Sequence, residues 1–262
     1  MMTSYADGAL LLSLDGPCAR LTLNRPAARN ALNLAIWRDL PTVMSELVQD
    51  PAIRVVIIAG AGGHFASGAD IVEFDTVFAN RDSALGYGRL LEAATGAIAS
   101  LGKPVIAQID GYCIGAGLAI ALACDIRIAA ADARLGAPPA KLGLIYSLAD
   151  TRRLVRAVGA SAAKTMLFAG ALVPAPQALT QGLVDQVHPP EGLDAAVRAL
   201  VASISAASPW SIRHAKQVVD MVEHGATEDS EETRGWFADA VEGDDFAEGL
   251  AAFHAKRPPV FR

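Results

Sequence analysis

Two glycine-bearing stretches, FASGADI (65–71) and GYCIGAGLA (111–119), are the parts of this chain best equipped for chemistry. Each follows an apolar run with the character of a buried strand, and each opens a helical pattern. A helix begun by such a turn leaves its first N–H groups unpaired, and partial positive charge gathers there. Two such turns brought together would form an oxyanion hole built from backbone, able to stabilise negative charge on a carbonyl oxygen. The same glycines would equally serve close packing of helix on sheet. Residue type alone leaves both readings open.

Spacing excludes the other glycine and metal chemistries. Starting from Gly60 and Gly62, a dinucleotide fingerprint would need glycine where Phe65 stands. No GxxxxGK[ST], HExxH or GxSxG occurs, and the five histidines are scattered. Cys18, Cys113 and Cys124 show no CxxC spacing and read as small buried hydrophobes. No metal site is therefore expected.

The elements that must hold the two loops follow from composition and pattern. With 262 residues, 52% of them hydrophobic and 19% charged, the chain supplies a large core for one α/β domain with a small helical appendage. The net charge of −6 argues against nucleic acid. It still allows a phosphorylated ligand held by a few local Arg and Lys residues. The richest apolar run, Ile114 to Cys124, is about half a membrane span, and Asp125 and Arg127 follow at once. The first residues lack the basic, apolar and small-residue pattern of a secretory signal. A cytoplasmic address with no membrane partner is the expectation.

ALLLSL and ARLTLN predict two strands around the turn Asp15-Gly16-Pro17. Apolar residues from Leu34 to Val48 recur at helical spacing, with Pro41 expected to kink or restart that helix. RVVIIAG, KPVIAQI and DIRIAAA read as strands buried on both faces, and strand, helix, strand in that order implies right-handed βαβ connection. After Asp150 the pattern is almost wholly helical, interrupted by one short strand at LVDQV.

The stretches LNRPAARNALN, GGHFASGADI and KPVIAQIDGYCIGAGLAIALACDIRIAAADARLGAP, with the ending DDFAEGLAAFHAKRPPVF, resemble the crotonase (enoyl-CoA hydratase/isomerase) superfamily segment by segment. The likeness runs from Leu10 to Phe261. It implies an α/β fold with a ββα superhelix core at 1–200 and a C-terminal helical trimerisation region at 201–262. It also implies a homotrimer or dimer of trimers, a lyase activity, and acyl-CoA thioester substrates. Coenzyme A would come as part of the substrate, with no tightly bound cofactor. The resemblance assigns the oxyanion hole to the N–H groups of Ala69 and Ala116, the latter standing where glycine is usual. Coenzyme A would lie along Arg25, Ala28 and Arg29 and along Ala66 and Gly68. Phe253 and Lys256 of a neighbouring subunit would reach its adenine end. Arg29 and Lys256 are chemically suited to phosphate.

One departure matters. Hydratases of this superfamily hold water between two glutamates, and the matching positions here are Ala119 and Pro139. Neither side chain can move a proton, and each lost acid or base removes about 10² to 10⁴ in rate. Replacement candidates follow Gly143: Tyr146, Ser147, Asp150 and Arg152. Asp150 also reads as the cap of a helix beginning at Thr151, Asp70 as a helix-start residue, and Asp125 as structural. Pro139 with Tyr146 resembles the methylmalonyl-CoA decarboxylase branch, in which the matching tyrosine contacts the substrate carboxylate. That branch has histidine where this chain has Ala69. Decarboxylation of a malonyl-type thioester is thus the leading expectation. The alternatives are hydration or isomerisation with a relocated acid/base, a non-catalytic acyl-CoA-binding trimer, and thioester hydrolysis with Asp150 in the pocket.

Overall fold

The computed structural model describes residues 2–261. A hairpin-linked start, β1 (Met2–Tyr5), β2 (Leu10–Asp15) and β3 (Cys18–Leu23), is antiparallel. The chain then crosses over through α1 (Leu34–Gln49) to β4 (Val55–Gly60), which pairs in parallel with β3. Two further crossovers repeat the pattern. The first passes through α2 (Phe74–Val77) and α3 (Arg81–Ala99) to β5 (Val105–Ile109). The second passes through the short β6 (Tyr112–Ile114) and α4 (Ala116–Ala123) to β7 (Ile126–Ala130). Next come β8 (Arg134–Gly136), α5 (Leu148–Ala169), β9 (Val173–Pro174) and α6 (Ala175–Thr180), then β10 (Gln186–His188), which closes the sheet against β7. The last helices are α7 (Pro190–Ser205), α8 (Pro209–Glu223), α9 (Glu231–Glu242) and α10 (Asp244–Ala255).

The seven-stranded sheet runs β1-β2-β3-β4-β5-β7-β10, and β6, β8 and β9 form a second, small sheet. Single bridges, Leu32 to Ala69 and Ala66 to Cys113, extend the small sheet toward the N-terminal repeats. Each repeat thus contributes one long strand, one short extended segment and one helix, the ββα superhelix that the sequence likeness implied.

Burial on both faces explains the continuous apolar strands. In β4, Val56 and Ile58 face the main core with Trp37, Leu40 and Ile98, whereas Val55, Ile57 and Ala59 face Leu193, Val197 and Val201 of α7. One side chain per face alternates along the strand, so both sets must be apolar. Helix α1 presents Ile36, Trp37, Leu40, Val43, Met44 and Leu47 to that core, and Asn33 caps it by accepting from the Ile36 N–H.

Two local expectations are corrected. Of the two effects expected of Pro41, a kink or a restart, the restart does not occur: the first helix runs as one element from Leu34 to Gln49. Packing of its buried face holds it across the missing N–H. The helix expected from Thr151 begins at Leu148, with Ser147 rather than Asp150 as its cap. Gly159 (φ 76°, ψ 161°) breaks this helix in its middle, as the turn signal there suggested. Among the described residues no single helix is long and apolar enough to cross a membrane, although the bent pair α7 and α8 meets the test of length and composition.

Candidate active site

The two glycine loops meet. The segment 66–69 is clamped on both sides: Ala66 N–H donates to Tyr112 O at 2.9 Å, and Ile114 N–H donates to Ala66 O at 3.0 Å. Leu32 N–H donates to Gly68 O at 2.8 Å, and Asp70 N–H donates to Leu32 O at 2.9 Å. Because its neighbours on either side serve Leu32, the Ala69 N–H points away from that strand and has no backbone acceptor among the described residues. The Ala116 N–H is the first of α4 and is likewise without one among the described residues. Ala69 and Ala116 are half-exposed, whereas Ala66, Gly68 and Gly117 behind them are buried.

A Gly-Ala dipeptide occupies the critical position in both loops, and the glycines are required by backbone conformation. Gly68 has φ 122°. Gly115 has φ 54° and ψ −119°, the mirror image of the first central position of a type II turn. Neither region suits a side chain. Gly117 is needed for space, since a Cβ there would lie 2.7 Å from Ala66 Cβ and 2.8 Å from Ala66 O. The sequence places these glycines in the two stretches 65–71 and 111–119 and repeats the Gly-Ala pair; that Gly115 is needed for conformation and Gly117 for space follows from the structure.

The segment 25–31 forms the next wall. Arg29 (φ 48°) and Asn30 (φ 58°) are both left-handed. The turn is held by buried Asn30, whose Nδ2 donates to Ala61 O at 2.8 Å and His64 O at 2.6 Å. Ser67 N–H donates to Arg29 O at 2.9 Å, and its hydroxyl donates to Ala28 O at 3.2 Å, so this turn and the first glycine loop form one unit. Arg25, Ala28, Arg29, Ala66 and Gly68 are therefore brought together as the likeness implied. Their chemistry differs, however. Arg25 is committed to Asp70 Oδ2 at 2.8 Å and to Ala31 O at 2.5 Å. Arg29 is exposed, with its guanidinium 5.5 Å from the Tyr112 ring centroid. Phe253 lies on α10, which packs against α9, and Lys256 caps its C-terminus; Phe253 is 79% exposed.

The replacement candidates stand on the segment leading into α5. Tyr146 donates its hydroxyl to Gly115 O at 2.5 Å, joining this segment to the second glycine loop. Burial, followed by the nearby Asp150 carboxylate, pushes its phenol well above the ordinary value of 10. Asp150 is buried and fully engaged: Ser147 Oγ donates to its Oδ2 at 2.8 Å, and Arg153 Nη1 lies 3.1 Å from its Oδ1. Arg153 also donates to Thr95 Oγ1 on α3 at 3.2 Å. Arg152 is exposed. Ala119 is 4% exposed on α4, and Pro139 starts the short turn Pro139–Leu142. Large apolar side chains stand exposed beside the loops, notably Ile71, Val72, Ile145 and Leu148.

Asp70 caps the short helical turn after Ala69, accepting from Val72 N–H at 3.2 Å. Asp125 is structural as expected, accepting from Val105 N–H at 2.7 Å and pairing with Lys216 at 2.8 Å. Cys113 and Cys124 are buried thiols, and burial raises both well above their ordinary range. A cavity of about 820 Å³ lies elsewhere, between the C-terminal ends of α3 and α4 and helix α8. Its lining includes no residue of either glycine loop; of its five arginine and lysine side chains, Arg127, Arg153, Arg156 and Lys216 are ion-paired and Arg152 is exposed.

Comparison with known proteins agrees with this architecture. The enoyl-CoA hydratase/isomerase family profile matches residues 15–262. The chain is 36% identical over 254 residues to a Mycobacterium tuberculosis protein described as a probable enoyl-CoA hydratase, covering 96% of this chain and 97% of that one. It is 35% identical over 255 residues to the 2,3-dehydroadipyl-CoA hydratase of Escherichia coli, covering 97% of this chain and 98% of that protein. The crystal structure of an enoyl-CoA hydratase/isomerase family protein from Hyphomonas neptunium superposes with a TM-score of 0.94 at 38% identity, over 97% of each chain. With profile, sequence and fold in agreement over almost its full length, this chain is a member of the enoyl-CoA hydratase/isomerase (crotonase) superfamily.

Proposed function

We propose that the chain acts on acyl-CoA thioesters by stabilising a thioester enolate between the Ala69 and Ala116 N–H groups, and that the enolate forms by decarboxylation of a malonyl-type substrate. The observation that carries this reading is the pair of N–H groups, at Ala69 and Ala116, that have no backbone acceptor among the described residues, together with the engagement of the acids on the adjoining segments. By the resemblance, Ala119 and Pro139 match the positions of the two hydratase glutamates. Among those acids, Asp70 is engaged by Arg25, Asp150 by Arg153 and Ser147, and Glu73 by the Leu34 N–H.

Decarboxylation needs no base. The bond between the α-carbon and the carboxylate carbon breaks, its electron pair passes into the enolate, CO₂ leaves, and a solvent proton is added to the α-carbon afterward. The two N–H donors receive the developing charge on the thioester oxygen, each worth about 10² to 10³ in rate. Arg29 is the available cation for a coenzyme A phosphate, because Arg25 is already paired. The assembly is a homotrimer or a dimer of trimers, supported by the exposed Val219, Val222, Phe237 and Phe253 on the last three helices. Sedimentation should show no stable monomer at micromolar concentration.

The test is CO₂ release from malonyl-, methylmalonyl- and ethylmalonyl-CoA. Release from one of them, dependent on intact glycine loops, supports the reading; silence on all three, with binding retained, removes it. A second reading is hydration or isomerisation with Asp150 as relocated acid/base, favoured by relatives named as hydratases. It requires Asp150 to leave both Ser147 and Arg153, and rapid hydration of crotonyl-CoA would establish it.

A further inference from the structure

The Tyr146 hydroxyl donates to an oxygen that shares a peptide plane with a proposed oxyanion donor. Gly115 C=O and Ala116 N–H belong to one planar unit, and no peptide bond in the described chain is cis. The two groups therefore point in opposite directions. Whatever grips the Gly115 oxygen fixes the direction of the Ala116 N–H.

The need for such a grip follows from the backbone. Gly115, at φ 54° and ψ −119°, makes this the central peptide of a type II′-like turn. Rotating ψ of Gly115 against φ of Ala116 turns that peptide over without moving the chain on either side. An overturned peptide would present a carbonyl oxygen to the substrate where an N–H is wanted. Two donors oppose this: the Ala119 N–H, 3.0 Å from Gly115 O, and the Tyr146 hydroxyl, at 2.5 Å. The preceding peptide is pinned separately, by Gly115 N–H donating to Gly136 O at 2.8 Å. Ala119 N–H belongs to the same helix and moves with it. Tyr146 comes from a different element, and the Ser147, Asp150, Arg153 and Thr95 chain of bonds ties that element to α3.

We infer that Tyr146 is a positioning residue for the oxyanion hole, acting through Gly115 O to orient and polarise the Ala116 N–H. This rests on the oxyanion-hole reading above and is independent of which reaction produces the enolate. Donation to the carbonyl draws electron density across the amide, so the N–H opposite becomes a stronger donor. The phenol has a single proton, and Gly115 O has it. An ionised substrate carboxylate can only accept, so it could not bond to Tyr146 without taking that proton from the loop. The role implied by likeness to the methylmalonyl-CoA decarboxylase branch thus competes with the bond seen here.

The test uses 2,4-hexadienoyl-CoA, a conjugated thioester whose absorption moves to longer wavelength when its carbonyl oxygen is polarised. The full-length protein should bind it with such a shift. Tyr146→Phe should lose about half of the shift or more, because one of two donors is loosened. Free coenzyme A affinity should stay within about twofold, a change of under 1 kcal/mol. Incorporating 3-fluorotyrosine at position 146, a stronger donor of nearly the same shape, should move the absorption beyond that of the unsubstituted protein. A purely structural tyrosine would not track donor strength. Equal shifts in all three proteins overturn the inference. Should Tyr146→Phe fail to fold, the fluorotyrosine protein decides alone. Binding with no shift in the unsubstituted protein removes the oxyanion-hole reading and this inference with it.

Discussion

Gly68 and Gly115 meet across the candidate active site: a methyl group built on Gly115 would lie 3.9 Å from the Gly68 Cα. Space is therefore adequate, and the obstacle to substitution is the positive φ of both residues. Gly115→Ala should impose strain of about 1 to 3 kcal/mol. Relaxation of the turn would carry the Ala116 N–H out of alignment, so thioester turnover should fall by about 10² or more. Steady-state assays beside urea unfolding separate the two effects, and full activity in the variant would remove the requirement for this backbone geometry.

Restoring carboxylates should restore hydration. The double substitution Ala119→Glu and Pro139→Glu is expected to raise crotonyl-CoA hydration by at least about 10² over a slow starting protein. Since Ala119 is 4% exposed, the new carboxyl should also lower stability by about 1 to 3 kcal/mol. Rapid hydration before substitution would locate the acid/base elsewhere.

The two arginines of the 25–31 turn should separate cleanly. Arg25→Ala breaks the pair with Asp70 and the bond to Ala31 O, at a cost of about 1 to 3 kcal/mol in unfolding free energy. Arg29→Ala should leave stability nearly unchanged, weaken thioester binding severalfold and flatten its salt dependence. Calorimetry over a salt series checks this, and an unchanged salt slope in Arg29→Ala would count against a phosphate role.

Asp110, at the end of β5, offers a pH test. Burial first, and then Asp132 and Asp194, raise its carboxyl above the ordinary 3.8. The folded state therefore holds this proton more tightly than the unfolded chain. Its contribution to stability is complete below pH 3.8 and is lost as pH rises through the folded value. Asp110→Asn should accordingly be the more stable protein at neutral pH, with an advantage that disappears in acid. Urea unfolding from pH 3.5 to 7 measures the difference, and a constant gap across that range would show another cause.

Much of this arrangement was legible in the sequence. The continuous apolar runs at β4, β5 and β7 carried the sheet, because strands buried on both faces need no polar alternation. The glycine loops carried the site, because helix starts after buried strands leave N–H groups unused. The missing parts depend on distant partners. Strands β6, β8 and β9 hold two or three residues each, too few for periodicity to register. Pro41 was read by its local effect, whereas burial of the whole α1 face decides there. Asp150 was placed as a cap because its type suits one, but Ser147 three residues earlier takes that position and leaves Asp150 to pair with Arg153. Tyr146 could be singled out by type; that its partner is Gly115 O follows only from the approach of two segments 31 residues apart.

The strand order has a consequence for how such a chain assembles. From β1 to β10 the large sheet is written in the same order as the sequence, with only strands of the small sheet passed over. No strand has to be inserted between two that are already paired. Each new strand emerging from the ribosome meets an open edge made by its predecessor, so the sheet can grow in one direction. Both glycine loops lie between β4 and β7, so their long-strand frame can be complete before α8, α9 and α10 have been synthesised.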